Sequence, residues 1–145
     1  MNKKSKPSYQ AKTMTIWKGT IIGHLPRKSN QRRIILREGK PLNVKSKEAI
    51  NWTQHAILQI KSNSNIRNYR GEIRLIAHIY YRSLRSDLSD ELLCDAFEHA
   101  QIIKNDRQII EKHTYRHKDP QNPRVEAILE TTCEVIPPNP IRYGS

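Results

Sequence analysis

Hydrophobic positions along this chain change their period several times, and each change marks an element. Thr15 to Ile22 (TIWKGTII) reads as a first strand. GHLPRKSNQ follows as a polar loop punctuated by Gly and Pro, and then comes the short apolar run Ile34-Ile35-Leu36. Residues 15 to 37 are therefore expected to form strand, basic loop, strand. From Ser46 the period lengthens. Ser46 can cap a helix, Glu48 suits its first turn, and Ala49, Trp52, Ala56 and Ile60 recur every three or four residues until KSNSN at 61 to 65. Glu72 to Arg82 (EIRLIAHIYYR) then alternates, with Ile73, Leu75, Ala77, Ile79 and Tyr81 on one face. Helical spacing returns from Leu88 to Ala100 through Leu92 and Ala96, with Phe97 beside them. Arg107 to His117 alternates poorly and is expected at a sheet edge, and Val125, Ala127 and Leu129 mark a last strand.

The order β-β-α-β-α-β-β predicts a single α+β domain, a mixed sheet backed by two helices. It is expected to span residues 15–133. Residues 1–14, rich in Lys and Ser and without periodicity, read as a flexible basic tail, and 134–145 as a Pro-rich tail that no sheet interior would accept.

Charge narrows the choice of partner. Lys and Arg number 26 against 14 Asp and Glu, a formal net charge of +12, which calls for a polyanion. No stretch approaches the roughly 18 to 20 apolar residues of a membrane-spanning helix, and the opening MNKKSKPSYQAK lacks the apolar core of a signal peptide. Nucleic acid is the expected partner, with no membrane and a cytoplasmic location. Cys94 and Cys133 fit neither a metal knuckle nor a redox pair, and the six histidines form no paired-ligand pattern; His113 and His117 fall on an expected strand.

Against this basic background, residues 85 to 106 hold six of the 14 acidic residues. On a wheel of about 100° per residue, Asp87, Asp90, Glu91, Cys94 and Glu98 share one face of the expected helix, with Asp95 at its margin. Like charges so placed repel slightly. The plain explanation is a solvated face with acids at the positive end of the dipole. The chemical one is a cation held between protein and phosphate, since carboxylates and water are what Mg²⁺ requires. Asp106, just beyond the helix, can close such a site from a second element. Cys94 shares the face but is a poor Mg²⁺ ligand.

The segment RSDLSDELLCDAFEHAQIIKNDRQI resembles the core of the RusA family of Holliday-junction resolvases. There an Arg-x-Asp-Leu-Asp motif opens a helix, and an Asp in an Asn-Asp-x-Gln turn follows about twenty residues later. GHLPRKSNQRRI, GKPLNVKSKEAINWTQHA and NPRVEAILE are similar to other family segments in the same order, so the likeness runs from about residue 20 to 130. It implies a dimeric, Mg²⁺-dependent endonuclease, with Mn²⁺ able to substitute, that nicks a four-way DNA junction symmetrically. Asp87 takes the first motif aspartate and Asp106 the later one. Ser89 stands where the second belongs, leaving Asp90 or Glu91 to supply that carboxylate. The family's helix lysine has no counterpart in ELLCD, leaving Lys104 or Arg85 to replace it.

The expected catalytic and metal-binding set is thus Asp87, Asp90, Glu91 and Asp106. Arg27, Lys28, Asn30, Arg32 and Arg33 crowd one loop and, with Lys45, Lys47, Arg85 and Lys104, are expected to hold DNA. Trp52 lies on the apolar stripe and belongs to the core; of Tyr80 and Tyr81, one must be exposed. The rival to a nuclease is a catalytically inactive junction-binding protein, prompted by Ser89 and the missing lysine. An RNA-binding module is a third reading, for which no motif of interleaved basic and aromatic residues appears.

Overall fold

A computed structural model describes residues 13–85 and 87–132. The tails expected at 1–14 and 134–145 fall outside these residues apart from Thr13 and Met14, as does Cys133. The fold is α+β, in one small domain. Its elements in order are β1 (Thr15–Ile22), β2 (Arg32–Arg37), β3 (Lys40–Lys45), α1 (Lys47–Ser62), β4 (Ile73–Tyr81), α2 (Glu91–His99), β5 (Ile109–Lys118) and β6 (Arg124–Thr131). Four strands make a mixed sheet in the order β1-β6-β4-β5, antiparallel except for the parallel pair β4–β5 that α2 connects.

Alternation builds this sheet. In β4 every second residue from Ile73 to Tyr81 is fully buried, and Val125, Ala127 and Leu129 continue the same face into β6. Both helices cover that face. α1 starts where Ser46 accepts the Ala49 amide at 3.1 Å and donates to the Asn30 carbonyl at 2.6 Å, which also ties the helix to the basic loop. Trp17 joins the layers: its indole N–H donates to the Ile60 carbonyl at 2.9 Å, and its ring meets Phe97 edge-on at 5.0 Å. Trp52 is buried in this core, as its position on the apolar stripe implies, and Tyr81 is buried while Tyr80 lies on the opposite sheet face.

Two elements differ from the sequence expectation. Residues 40–45 form a strand that was not anticipated, pairing with β2 as a two-stranded ribbon separate from the main sheet. Its turn places Glu38 (φ 54°) and Gly39 (φ 77°) both in the left-handed region, the two-residue turn that matches strand twist. The ribbon buries no side chain, so no alternation announced it. The second difference is the start of α2. It begins at Glu91 with Asp90 as N-cap, not near Asp87. The spacing of Leu88 to Leu92 imitates a helical turn, yet the backbone at Asp87 and Ser89 is held outside the helix by a side chain at the end of β4, described below.

Candidate active site

The acidic segment is positioned from three sides. Tyr81, the last residue of β4, donates its hydroxyl to the Asp87 carbonyl at 3.3 Å and accepts the Ser89 amide at 3.4 Å. This fixes the loop that presents Asp87 and explains why the helix starts late: the backbone groups of 87 and 89 bond to a side chain instead of to a first turn. Burial pushes the Tyr81 hydroxyl up, and the Asp87 and Asp90 carboxylates push the same way, so it remains a donor at neutral pH. Asp87 itself is exposed. It therefore leaves the helical face on which the sequence had placed it and stands on the loop preceding α2.

Asp106 is placed by the NDRQ turn. Asn105 and Gln108 form a reciprocal capping box around a 3-10 turn at Asp106–Gln108. The Gln108 side chain accepts the Lys104 and Asn105 amides, each at 2.8 Å, and donates to the carbonyls of Tyr69 at 2.7 Å and Gly71 at 2.9 Å. Every polar valence of that amide is used. The turn is pinned to the loop preceding β4, and the exposed Asp106 carboxylate is carried on a rigid mount; its amide donates to Glu98 Oε1 at 3.1 Å. α2 ends just before, where Gln101 (φ 64°) turns the chain and the amides of Gln101 and Ile102 return to the carbonyls of Glu98 and Phe97.

The carboxylates of α2 separate into two groups. Glu91 and Asp95 turn toward the ribbon, where Arg32 lies 3.5 Å from Glu91 and Lys45 lies 2.8 Å from Asp95. Asp90 turns the other way, to Lys112 of β5 at 3.2 Å. Lys112 escaped sequence reasoning, because only the parallel register that sets Leu75 beside Lys112 brings it to the helix. Burial alone would lower its ammonium. The anionic groups facing it (the Cys94 thiolate formed at high pH, then Asp90 and Asp106) outweigh that and hold it above the ordinary lysine value. The substitutes named from sequence, Lys104 and Arg85, are both exposed, and it is Lys112 that pairs with Asp90.

Cys94 lies beneath this group and is 4% exposed, so it is a core residue and not part of the acidic surface. Burial, with Asp90, Asp106 and Asp95 nearby, pushes its thiol up to about 12. Asp90 and Asp106 thus both act on Lys112, and all three on one buried thiol, while Glu91 pairs with the ribbon. Among the described residues, no three His, Cys, Asp or Glu side chains meet as a metal-holding cluster. Mg²⁺ does not need one: it keeps several waters and is commonly held by one or two carboxylates. An all-oxygen pair such as Asp90 and Asp106 fits the chemistry of that hard cation.

Further basic residues are exposed on other elements. Arg27, Lys28 and Asn30 are exposed in the loop and its 3-10 turn Lys28–Asn30. Arg33 is exposed on the ribbon, and Lys47 opens α1 exposed. The helix-side row of β5 carries Lys112, Arg116 and Lys118. No helix among the described residues is long and apolar enough to cross a membrane. No protein-family model matches the chain, and a search of curated proteins finds no match either.

Proposed function

We propose that this protein is a Mg²⁺-dependent, structure-selective DNA endonuclease of the RusA type, cutting four-way junctions as a homodimer. The observation that carries the reading is Asp90 paired with Lys112 at 3.2 Å, with Asp106, on a separately pinned turn, close enough to raise the same ammonium, in a chain of net charge +12. Asp90 and Asp106 would hold the ion with water, and Asp87, on the loop before α2, would have to swing in to join them; the bound ion supplies a Lewis acid that activates water and offsets phosphate charge. The chain's own groups do the rest. Lys112 keeps its proton beside the acids and offers a cation to the phosphate, as an electrostatic clamp does. Tyr81 holds the Asp87 loop in place, and the surrounding Arg and Lys residues bind the backbone. Dimerisation follows from the substrate, because paired nicks in a near two-fold junction need two sites related by the same axis.

One observation favours a second reading, a junction-binding protein without catalysis. Glu91, Asp95 and Asp90 each have a basic partner within the chain, as acids do when their role is to fasten elements together. Cleavage of a synthetic four-way junction, with and without Mg²⁺, separates the two. The nuclease reading expects Mg²⁺-dependent nicking that Asp90→Asn lowers by about two orders of magnitude or more, with Glu91→Gln far milder because Glu91 faces the ribbon. Binding without nicking in any divalent metal establishes the second reading, and wild-type nicking by Asp90→Asn removes Asp90 from the site.

A further inference from the structure

Among the described residues, the ribbon β2–β3 holds the two most exposed large hydrophobic side chains, Leu36 at 74% and Ile34 at 71%, and a third, Leu42, at 40%. Its fourteen residues, 32 to 45, also carry Arg32, Arg33, Arg37, Lys40 and Lys45 against the single acid Glu38. The register sorts them. Arg32 pairs with Lys45, Ile34 with Asn43 and Leu36 with Pro41, and these six share one face; Arg33, Val44, Ile35, Leu42, Arg37 and Lys40 share the other. The first face is anchored at its base, where Arg32 and Lys45 meet Glu91 and Asp95 of α2. Its apolar end, Leu36 and Pro41, stands about 13 Å further out at ~3.3 Å per residue.

We infer that this ribbon is a wedge for branched DNA: Leu36, Pro41 and Ile34 enter the stack at a helical discontinuity while Arg33, Arg37 and Lys40 grip the adjoining phosphates. The inference rests on the DNA partner of the proposed function and names the element that reads the branch. Two observations select this occupant. Leu, Ile and Pro are side chains that proteins push between base steps, and two-stranded ribbons enter DNA grooves. The net charge of the ribbon, five cations less one acid, repels a second copy of itself and attracts a polyanion. The base anchor on α2 also places the apolar face on the side of the acidic helix, so DNA held there meets it.

The test uses the full chain without divalent metal and a synthetic four-way junction with 2-aminopurine at the crossover, beside a linear duplex carrying the same base. Wild type is expected to raise 2-aminopurine fluorescence on the junction only, as the base unstacks. Ile34→Ser with Leu36→Ser, both at exposed positions, should abolish that rise while duplex affinity changes by less than about twofold, because no phosphate contact is lost. Arg33→Ala with Arg37→Ala and Lys40→Ala should weaken both DNAs and reduce the log-log salt slope by up to about three. A junction bound by wild type with no fluorescence rise, or a rise that survives the double Ser variant, overturns the wedge and leaves the nuclease reading standing. Failure of wild type to bind any DNA sinks both. Self-association of wild type that the double Ser variant abolishes, measured by sedimentation, overturns the wedge in favour of a second copy.

Discussion

Cys94 lies directly under the proposed metal site, and its reactivity should report both the burial and the charge above it. With Cys133→Ser in place it is the chain's sole thiol. Iodoacetamide reacts with thiolate only. A thiol moved from 9.0 to about 12 carries about 10³-fold less thiolate at pH 8, since each unit is tenfold. Shielding of a side chain that is 4% exposed slows attack further, so this factor is a minimum. Alkylation of the folded protein should therefore be at least about 10³-fold slower than in concentrated urea. Mg²⁺ at Asp90 and Asp106 would offset part of the negative field and speed the reaction with a saturable concentration dependence. The same shift ties stability to pH. The folded thiol holds its proton more tightly than the unfolded chain does, so this contribution is complete below pH 9.0 and declines as pH rises toward about 12. Its full size, at 1.36 kcal/mol per unit, is about 4 kcal/mol. Folded and unfolded rates within about tenfold of each other would refute the burial argument. A rate indifferent to Mg²⁺ at concentrations that support cleavage would show that the ion binds elsewhere.

Lys112→Met should lower junction cleavage by about 10² to 10³, the usual cost of removing one group that stabilises developing charge. Lys112→Arg should recover part of that loss, and an unchanged single-turnover rate for Lys112→Met would reduce this lysine to a surface ion pair. Tyr81→Phe removes the hydroxyl bonded to Asp87 and Ser89 and should cost about 1 kcal/mol in urea denaturation. It should also raise the Mg²⁺ concentration needed for half-maximal cleavage; if both stay at wild type, the Asp87 loop is positioned by something else.

What the chain reveals before folding depends on whether a residue's partners are near it in sequence. β4 was legible because every second residue meets the core, and α1 because its cap and its stripe are local. The NDRQ turn was legible as a motif, although its reason, Gln108 bonding to the carbonyls of Tyr69 and Gly71, lies 37 to 39 residues away. β3 was missed because a strand with no buried residue has no pattern to show. The start of α2 differs because local spacing favours a turn at Leu88, while the Tyr81 hydroxyl bonds the Asp87 carbonyl and the Ser89 amide outside the helix. The same limit applies at the site. Asp90, Glu91 and Asp106 could be picked out by type, yet the division of Asp90 toward Lys112 and Glu91 toward Arg32 depends on strand register and on a ribbon that was not anticipated.

The pairing of β1 with β6 sets a timetable for biosynthesis. Of the described strands β1 is made first, and its partner residues, such as Val125 opposite Ile21 and Ala127 opposite Gly19, come more than a hundred positions later. At about 5 to 20 residues per second, β1 waits on the order of 5 to 20 seconds with its strand edge unpaired and Ile21 lacking Val125. Closing a loop of that length costs chain entropy that grows only with the logarithm of its size, so the delay is a matter of time more than of free energy. The hairpin β2–β3, α1 and the β4–α2–β5 unit can form meanwhile from nearer contacts, leaving a cleft that β6 fills and β1 then closes. The nascent chain is most open to aggregation and proteolysis in that interval, and a chaperone that recognises aromatic and branched apolar side chains would find β1 as its natural client.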